Sequence, residues 1–448
     1  MQTEADMAPD NAMNGAGAFF PEHEARAAIL AELHTRPFLP LEAPRRIYHY
    51  AFATNHEEAQ TDRSNLTALA LARNVAPPAA NSRFHYFVFG DWRLRWEQHT
   101  EFTTYSWSTG IDAETPFGHS DPLRDGEIAF SPPGRLIVAT HLCVVDRTIP
   151  LDTLTGLFNA QSLCVVGVDR NSAHVVTDFA LDSFGYTRVA VRLMNAPPIE
   201  AGRLAQRLLE IETYRTMALL GLPLAHDVSP HLRAMERELS EITQSLSIAH
   251  DSRTSHDLLR RLSDLLAKSE ALSTRAAFRF GACRAYHALV KNRLALLQES
   301  PVGPYGTLSS FLSVRFDPAI ETCNAVQARQ TRFSRDVERA NDLMRTGITL
   351  EMERQNGALL EDLNRRNRLQ MRLNRMVQGI SIAGLAYYLV GIFGYASRGL
   401  QAMGVFGEGI SAEAASAMGL PVALLLSWAY MARVQYLSRR AAEEEDLR

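Results

Sequence analysis

Lysine is almost missing from this 448-residue chain. Only Lys268 and Lys291 occur among 46 basic residues, so arginine carries nearly all the positive charge. The net charge of -4 excludes the global basic field of a nucleic-acid binder, and no nucleic-acid partner is expected. Cysteine is scarce as well. Cys143, Cys164, Cys283 and Cys323 are far apart and form no CxxC pair, so they read as reduced structural thiols of a cytosolic compartment. There is no GxxxxGK[ST] and no HExxH. Gly15-Ala16-Gly17 opens no strand–helix unit, and Gly118-His119-Ser120-Asp121 lacks the second glycine of a nucleophile elbow. Among 14 scattered histidines, His226 with His231 and His250 with His256 are spaced so that neither pair shares a helix face. No catalytic group, cofactor or metal is therefore expected, and the chain is not read as an enzyme. The start of the chain has no basic segment followed by an apolar run, so no cleavable signal peptide is expected. Residues 1–20 are small and polar and are read as a disordered N-terminus.

Long uncharged runs are present, and they sit together near the C-terminus. Met376–Ser397 lies between Arg375 and Arg398; Ala414–Ala432 is closed by Arg433. As helices they would be roughly 33 and 28 Å long, against a hydrocarbon core of about 30 Å. The spacing predicts a transmembrane hairpin over 376–433, with spans 376–397 and 414–433. Arg365, Arg366, Arg368, Arg372 and Arg375 precede the first span, and Arg433, Arg439 and Arg440 follow the second. The connection carries Arg398 against Glu408 and Glu413. Basic residues near span ends stay on the cytoplasmic side, so both termini, including the tail 434–448, are expected there. Tyr387, Tyr388, Tyr395, Trp428, Tyr430 and Tyr436 lie in or beside the spans as interfacial aromatics do.

Before residue 198 the pattern is that of an α+β or α/β cytoplasmic domain, over 21–198. Eight strand-like runs are expected at Arg46–Thr54, Arg83–Phe89, Trp92–Glu97, Glu101–Trp107, Arg135–Val145, Ser162–Val168, Ala173–Phe179 and Thr187–Leu193. Helices are expected at Glu22–His34, Glu57–Arg73 and Ile149–Asn159, and Pro197-Pro198 closes the domain. Along Arg93, Arg95, Glu97, His99 and Glu101 charged residues alternate on one side of a strand pair; a solvated sheet face is preferred there to a binding surface.

After that point the period becomes helical, and 199–375 is read as a helical stalk with coiled-coil packing. Ile199–Leu220 stops at Gly221-Leu222-Pro223, and Ser229-Pro230 reads as the start of a helix to about Leu246. Asp257–Gln298 is a long helix broken by Pro301–Tyr305. Asp317-Pro318 opens one continuous helix into the first span, its soluble part on the order of 85 Å long. Such a rod needs a neighbour, either Asp257–Gln298 or copies of itself, so self-association is expected. One face of it carries Asn367, Met371, Asn374, Gln378, Ser381, Leu385, Tyr388, Ile392 and Tyr395 at three- and four-residue steps. Amides facing lipid are unfavourable, so this stripe reads as an interhelical face or, on the sharper reading, as a pore lining with Glu408 and Glu413 at its outer mouth.

Three segments resemble a known family. They are HEARAAILAELHTRPFLPLEAP at His23–Pro44, LRWEQHTEFTTYSW at Leu94–Trp107, and Pro301–Tyr395 with GTLSSFLSVRFDPAIETC, ERQNGALLEDLNRR and YYLVGIFGY. The chain resembles the uncharacterised, predicted membrane-anchored bacterial proteins defined by a domain of unknown function. That resemblance implies an anchor in the bacterial inner membrane and no established activity. In architecture the chain also resembles the CorA class of magnesium channels, pentamers whose first span lines the pore. Where that class carries Gly-Met-Asn, this chain has Gly394-Tyr395-Ala396-Ser397. The reading preferred from sequence is a membrane-anchored, oligomeric scaffold or sensor whose cytoplasmic domain binds a partner or small ligand, with the lipid bilayer as its other partner. The alternative is a CorA-like homo-oligomeric channel for a divalent cation lacking that motif. An anchored enzyme comes last.

Overall fold

Runs of Val, Ile, Tyr and Trp that alternate with polar residues pair into one nine-stranded sheet. The structure is a computed structural model describing residues 23–26, 38–79, 82–111, 115–118, 130–246, 252–404 and 411–445. The strands are β1 (Arg45–Ala53), β2 (Phe84–Phe89), β3 (Trp92–Gln98), β4 (Phe102–Gly110), β5 (Arg135–Asp146), β6 (Cys164–Val168), β7 (Ala173–Leu181), β8 (Thr187–Leu193) and β9 (Ser300–Pro301). Their order is β2-β3-β4-β1-β5-β8-β7-β6-β9, antiparallel except for the parallel β5–β8 pair. The eight strands expected from alternation are all there. The ninth is two residues long, too short to leave a periodic signal.

Side-chain alternation gives the sheet two unlike faces. On β1, Tyr48, Tyr50 and Phe52 point into an aromatic cluster with Trp96, Tyr105 and Trp107, while Ile47 and Ala51 join the larger aliphatic core on the other side. Helix α1 (His56–Ala72) covers the aromatic face, inserting Leu66 and Ala70. Asn55 and Glu58 close its N-terminus as a reciprocal capping box. Buried Asp62 fixes the helix on the sheet: Trp96 Nε1 donates to Oδ2 at 2.8 Å and the Tyr105 hydroxyl to Oδ1 at 2.6 Å. The short α2 (Leu151–Thr155) closes a third cluster around Val145, Val165 and Ala190.

The aliphatic face is covered by α3 (Pro198–Leu219), which packs on β5 and on α5 (Ser252–Ala295). Leu204, Leu208, Ile211 and Met217 of α3 are buried in the same core as Val138, Val166 and Val191 of the sheet. The compact units are Met1–Asn341 and Asp342–Arg448, and the core of the sheet takes in helical residues as far along the chain as Val326. The double proline marks the first turn of α3, where a missing N–H costs nothing.

Two helix limits differ from the pattern expected. Helix α4 runs Gly221–Leu246 with Pro230 inside it, so Ser229-Pro230 does not start a helix. Burial of Ala225, Val228 and Leu232 along one side outweighs the hydrogen bond that Pro230 removes. A short helix α6 (Leu308–Arg315), capped by Thr307, precedes α7. The segment expected to form a helix at Glu22–His34 lies mostly outside the described residues.

Helix α7 (Asp317–Ala402) is 86 residues long, about 129 Å at the standard rise. As far as Met344 it buries a stripe that includes Ile320, Cys323, Phe333 and Val337. Asp317 at its start takes charge-assisted bonds from Lys291 and from His287, the latter at 3.0 Å, and Arg329 pairs with Glu236 of α4. In the second unit, α7 continues to Ala402 and α8 spans Ala412–Glu445. Both contain a segment long and apolar enough to cross a membrane by length and composition, the second being Ala417–Val434. Phe393 of α7 packs on Gly419 of α8, where an added Cβ would meet its ring at 2.6 Å. Ser397 and Ser427, each donating to its own helix backbone, are buried in that unit.

Candidate functional site

A cleft opens between the half of the sheet formed by β1–β4 and helix α3. It holds about 860 Å³ of empty space, its open mouth included. The strand residues lining it share one side of the pleat: Arg45, Ile47 and His49 of β1; Arg93, Arg95 and Glu97 of β3; Thr104, Ser106 and Ser108 of β4. Gly202, Leu209, Thr213 and Tyr214 of α3 form the opposite wall, and Leu39–Leu41 closes one end. That end segment is held to the helix by the Leu41 N–H, which donates to the Pro198 carbonyl at 2.9 Å.

Register explains the cluster of arginines. Arg93 of β3 lies opposite Ser108 of β4, and Arg95 opposite Ser106, while Ile47 of β1 faces Ser108 from the other side. Arg45 reaches back to Ser108, its Nη1 donating to Oγ at 3.5 Å. Arg45 and Arg93 therefore stand on the two strands that flank Ser108. Burial, followed by the like charge of Arg93, lowers the pKa of Arg45 from its ordinary value; Tyr86, Glu42 and Asp91 act in the opposite sense more weakly. The buried Nε of Arg45 has no hydrogen-bond partner among the described residues. Arg95 is paired with Glu97 at 2.8 Å, and both side chains are only about a tenth exposed, at 12% and 11%. Glu210, the other carboxylate of the cleft, is engaged by Arg293 and by Gln206.

His49 joins sheet to helix. The Thr213 hydroxyl gives its single hydrogen to the Leu209 carbonyl at 2.8 Å, so at its 2.9 Å contact with His49 it accepts, and His49 Nε2 carries the proton. Nδ1 is then the acceptor for the Ser106 hydroxyl at 2.8 Å. Burial lowers the His49 pKa to about 4, so the ring is neutral at pH 7. Both nitrogens are occupied, which makes His49 a brace of the cleft and not a proton carrier. The remaining walls are apolar or aromatic: Leu41, Leu209, Phe102 and Tyr214, the last stacked on Tyr286 of α5 at 5.7 Å. Charged donors converging on a partly apolar, preformed hollow can bind and orient a ligand.

The charged alternation at Arg93, Arg95 and Glu97 was the one sequence signal pointing here. The reading of a solvated face is corrected by the burial of Arg95 and Glu97. The cover, α3 and Leu39–Leu41, comes from segments remote in sequence. Arg45, His49 and Thr213 carried no local pattern that could have singled them out.

The stripe expected from sequence lies together on α7. Asn367, Met371, Asn374, Ser381, Tyr388 and Tyr395 are exposed in the single chain, and Gln378 is half-buried. The Ser381 hydroxyl bonds its own helix at the Val377 carbonyl, 2.8 Å away. Glu413 lies in the first turn of α8, exposed; Glu408 lies outside the described residues. Among the described residues no group of three or more His, Cys, Asp or Glu side chains could hold a metal ion. Cys283 and Cys323 are brought into contact beneath Gly221, although nothing in their spacing announced it.

No curated protein and no solved structure matches the chain. A family model described as "Protein of unknown function (DUF3422)" matches residues 21–437, nearly the whole chain, and the protein belongs to that family.

Proposed function

We propose that the protein is a membrane-anchored sensor, with its C-terminal helices in the bacterial inner membrane and its N-terminal domain binding a small ligand on the cytoplasmic side. The cleft between β1–β4 and α3 carries this reading. Its two walls are braced against each other by His49 and Thr213, and cationic groups meet apolar walls inside it. The anchor is supported by the two apolar helical segments and by the arginines flanking them. Past Met344, α7 exposes Leu350, Leu359, Leu360 and Leu363, which supports self-association along the rod.

One experiment tests both parts. Membranes are washed with alkaline carbonate, and the protein that remains is extracted in mild detergent and weighed by native mass spectrometry. The expected result is full retention in the pellet and a mass excess that leaves on denaturation. Release by carbonate removes the anchor, and a bare polypeptide mass removes the sensor.

The unbroken course of α7 from Asp317 to Ala402 favours a second reading, a homo-oligomeric cation channel with Asn374, Gln378 and Ser381 along its path. On this reading Asn374→Leu abolishes divalent-cation flux in proteoliposomes while subunit number is unchanged. Flux equal to wild type in that variant removes it.

A further inference from the structure

The geometry points to a small organic anion as the ligand of the cleft, with a carboxylate or phosphate head held by Arg45 and Arg93 and an apolar body against Leu41 and Leu209. This rests on the reading of the N-terminal domain as a sensor and adds the ligand's chemical class.

Three observations carry it. First, the positive charge of the cleft is not balanced from within. Its two carboxylates are committed, Glu97 to Arg95 and Glu210 to Arg293, whereas Arg93 has no ion-pair partner among the described residues. Secondly, Arg45 keeps a buried Nε donor without an acceptor among the described residues, and a buried N–H left unbonded is costly. Thirdly, the like charges of Arg45 and Arg93 are held near each other by strand register, on either side of Ser108. An anion placed between them supplies the missing acceptor and removes the repulsion. A guanidinium presents a planar fork that matches carboxylate and phosphate oxygens, which a lysine would not. The Ser108 hydroxyl at the same point adds a neutral partner.

The apolar walls set the rest of the ligand. Leu41 and Leu209 belong to the aliphatic core, so the wall beside the two arginines is apolar and held in place by packing. A simple inorganic anion would leave it unfilled. Bare apolar molecules would leave the arginines unmatched.

Full-length protein in nanodiscs is titrated calorimetrically with benzoate, phenyl phosphate and the neutral isostere benzamide. Benzoate or phenyl phosphate is expected to bind once per chain, and the tighter of the two identifies the head group. Benzamide is expected to bind at least tenfold more weakly. Arg45→Met and Arg93→Met are each expected to weaken the anion tenfold or more, as loss of a charge-assisted pair implies. Arg237→Met, an exposed site on α4, leaves binding unchanged. Without ligand, Arg93→Met unfolds at a temperature equal to or above wild type, because a repulsion is removed; if Arg45→Met does not fold, Arg93→Met carries the test alone. Benzamide binding as tightly as benzoate, or anion binding untouched by Arg93→Met, overturns the anion while the sensor stands on its bound mass. Absence of binding by both anions overturns the assignment as well.

Discussion

Replacing Gly202 by alanine is expected to destabilise the N-terminal domain by about 3 kcal/mol or more, and to abolish binding in the cleft. Gly202 lies on α3 where the helix meets the segment Leu39–Leu41. A Cβ built there comes 1.8 Å from the Leu39 carbonyl oxygen and 3.0 Å from its carbon. Both are backbone atoms, so no side chain can swing aside. The segment is also tied to the helix by the Leu41 N–H on the Pro198 carbonyl. One methyl group therefore forces the helix and the segment apart, which opens the end of the cleft and exposes Leu41 and Leu204 of the core. Overpacking costs typically 1–3 kcal/mol where neighbours can yield, and here they are main chain. Gly281 in α5 gives the matching control, since a Cβ there meets nothing within 4 Å. Gly281→Ala should gain up to about 1 kcal/mol from helix propensity alone. Thermal unfolding of the two variants should thus move in opposite directions. A Gly202→Ala protein as stable as wild type would show that α3 does not sit against this segment.

That glycine illustrates what could be read in advance and what could not. The strands from Arg45 to Leu193 announced themselves through alternation and β-branched residues, and the rod from Asp317 through its lack of proline. Both signals are local. The cleft is not local: its floor comes from β1, β3 and β4, its opposite wall from α3 about a hundred residues later. Locally Arg93 and Arg95 have the pattern of an exposed strand, because the chain that covers them comes from a remote part of the sequence. Pro230 departs from its local pattern for the opposite reason. A local rule favoured a helix start, and the burial of Val228 and Leu232 overrode it. Of the stripe on α7, sequence fixes the common helix face, and the single chain leaves most of it exposed, so its role depends on neighbours it does not itself supply.

Acidification should unfold the N-terminal domain well above the pH at which its carboxylates are all neutral, and two buried histidines set that limit. His49 is braced between Ser106 and Thr213, and burial lowers its pKa to about 4 against the pull of Glu97, with His99 and Arg95 adding to the lowering. His141, on the other face of the sheet, stacks on Tyr48 at 4.6 Å. Burial, then the charges of Arg46 and Arg188, lower its pKa to about 3. In the unfolded chain both imidazoles return to about 6.5. The unfolded state thus binds more protons throughout the interval between the folded and unfolded values, and stability falls as pH falls. The contribution is complete above about pH 6.5 and is lost progressively down to about pH 4 for His49 and about pH 3 for His141. Between pH 7 and 4.5 the loss is on the order of 2 kcal/mol for each ring, a large part of the 5–15 kcal/mol that a domain usually has. Chemical unfolding at a series of pH values measures it, with His49→Gln as the reference, since a glutamine cannot be charged. The wild-type stability should decline more steeply than that of the variant between pH 6.5 and 4.5, by about the His49 share. Parallel curves would mean that His49 takes up its proton in the folded domain at the same pH as in the unfolded chain. The Thr213 contact survives protonation, because Nε2 donates in either state. The Ser106 contact does not survive unchanged, because Nδ1 turns from acceptor to donor and the serine must reverse its hydroxyl. The cost therefore falls on the strand wall of the cleft, and any ligand held there should be released over the same pH range.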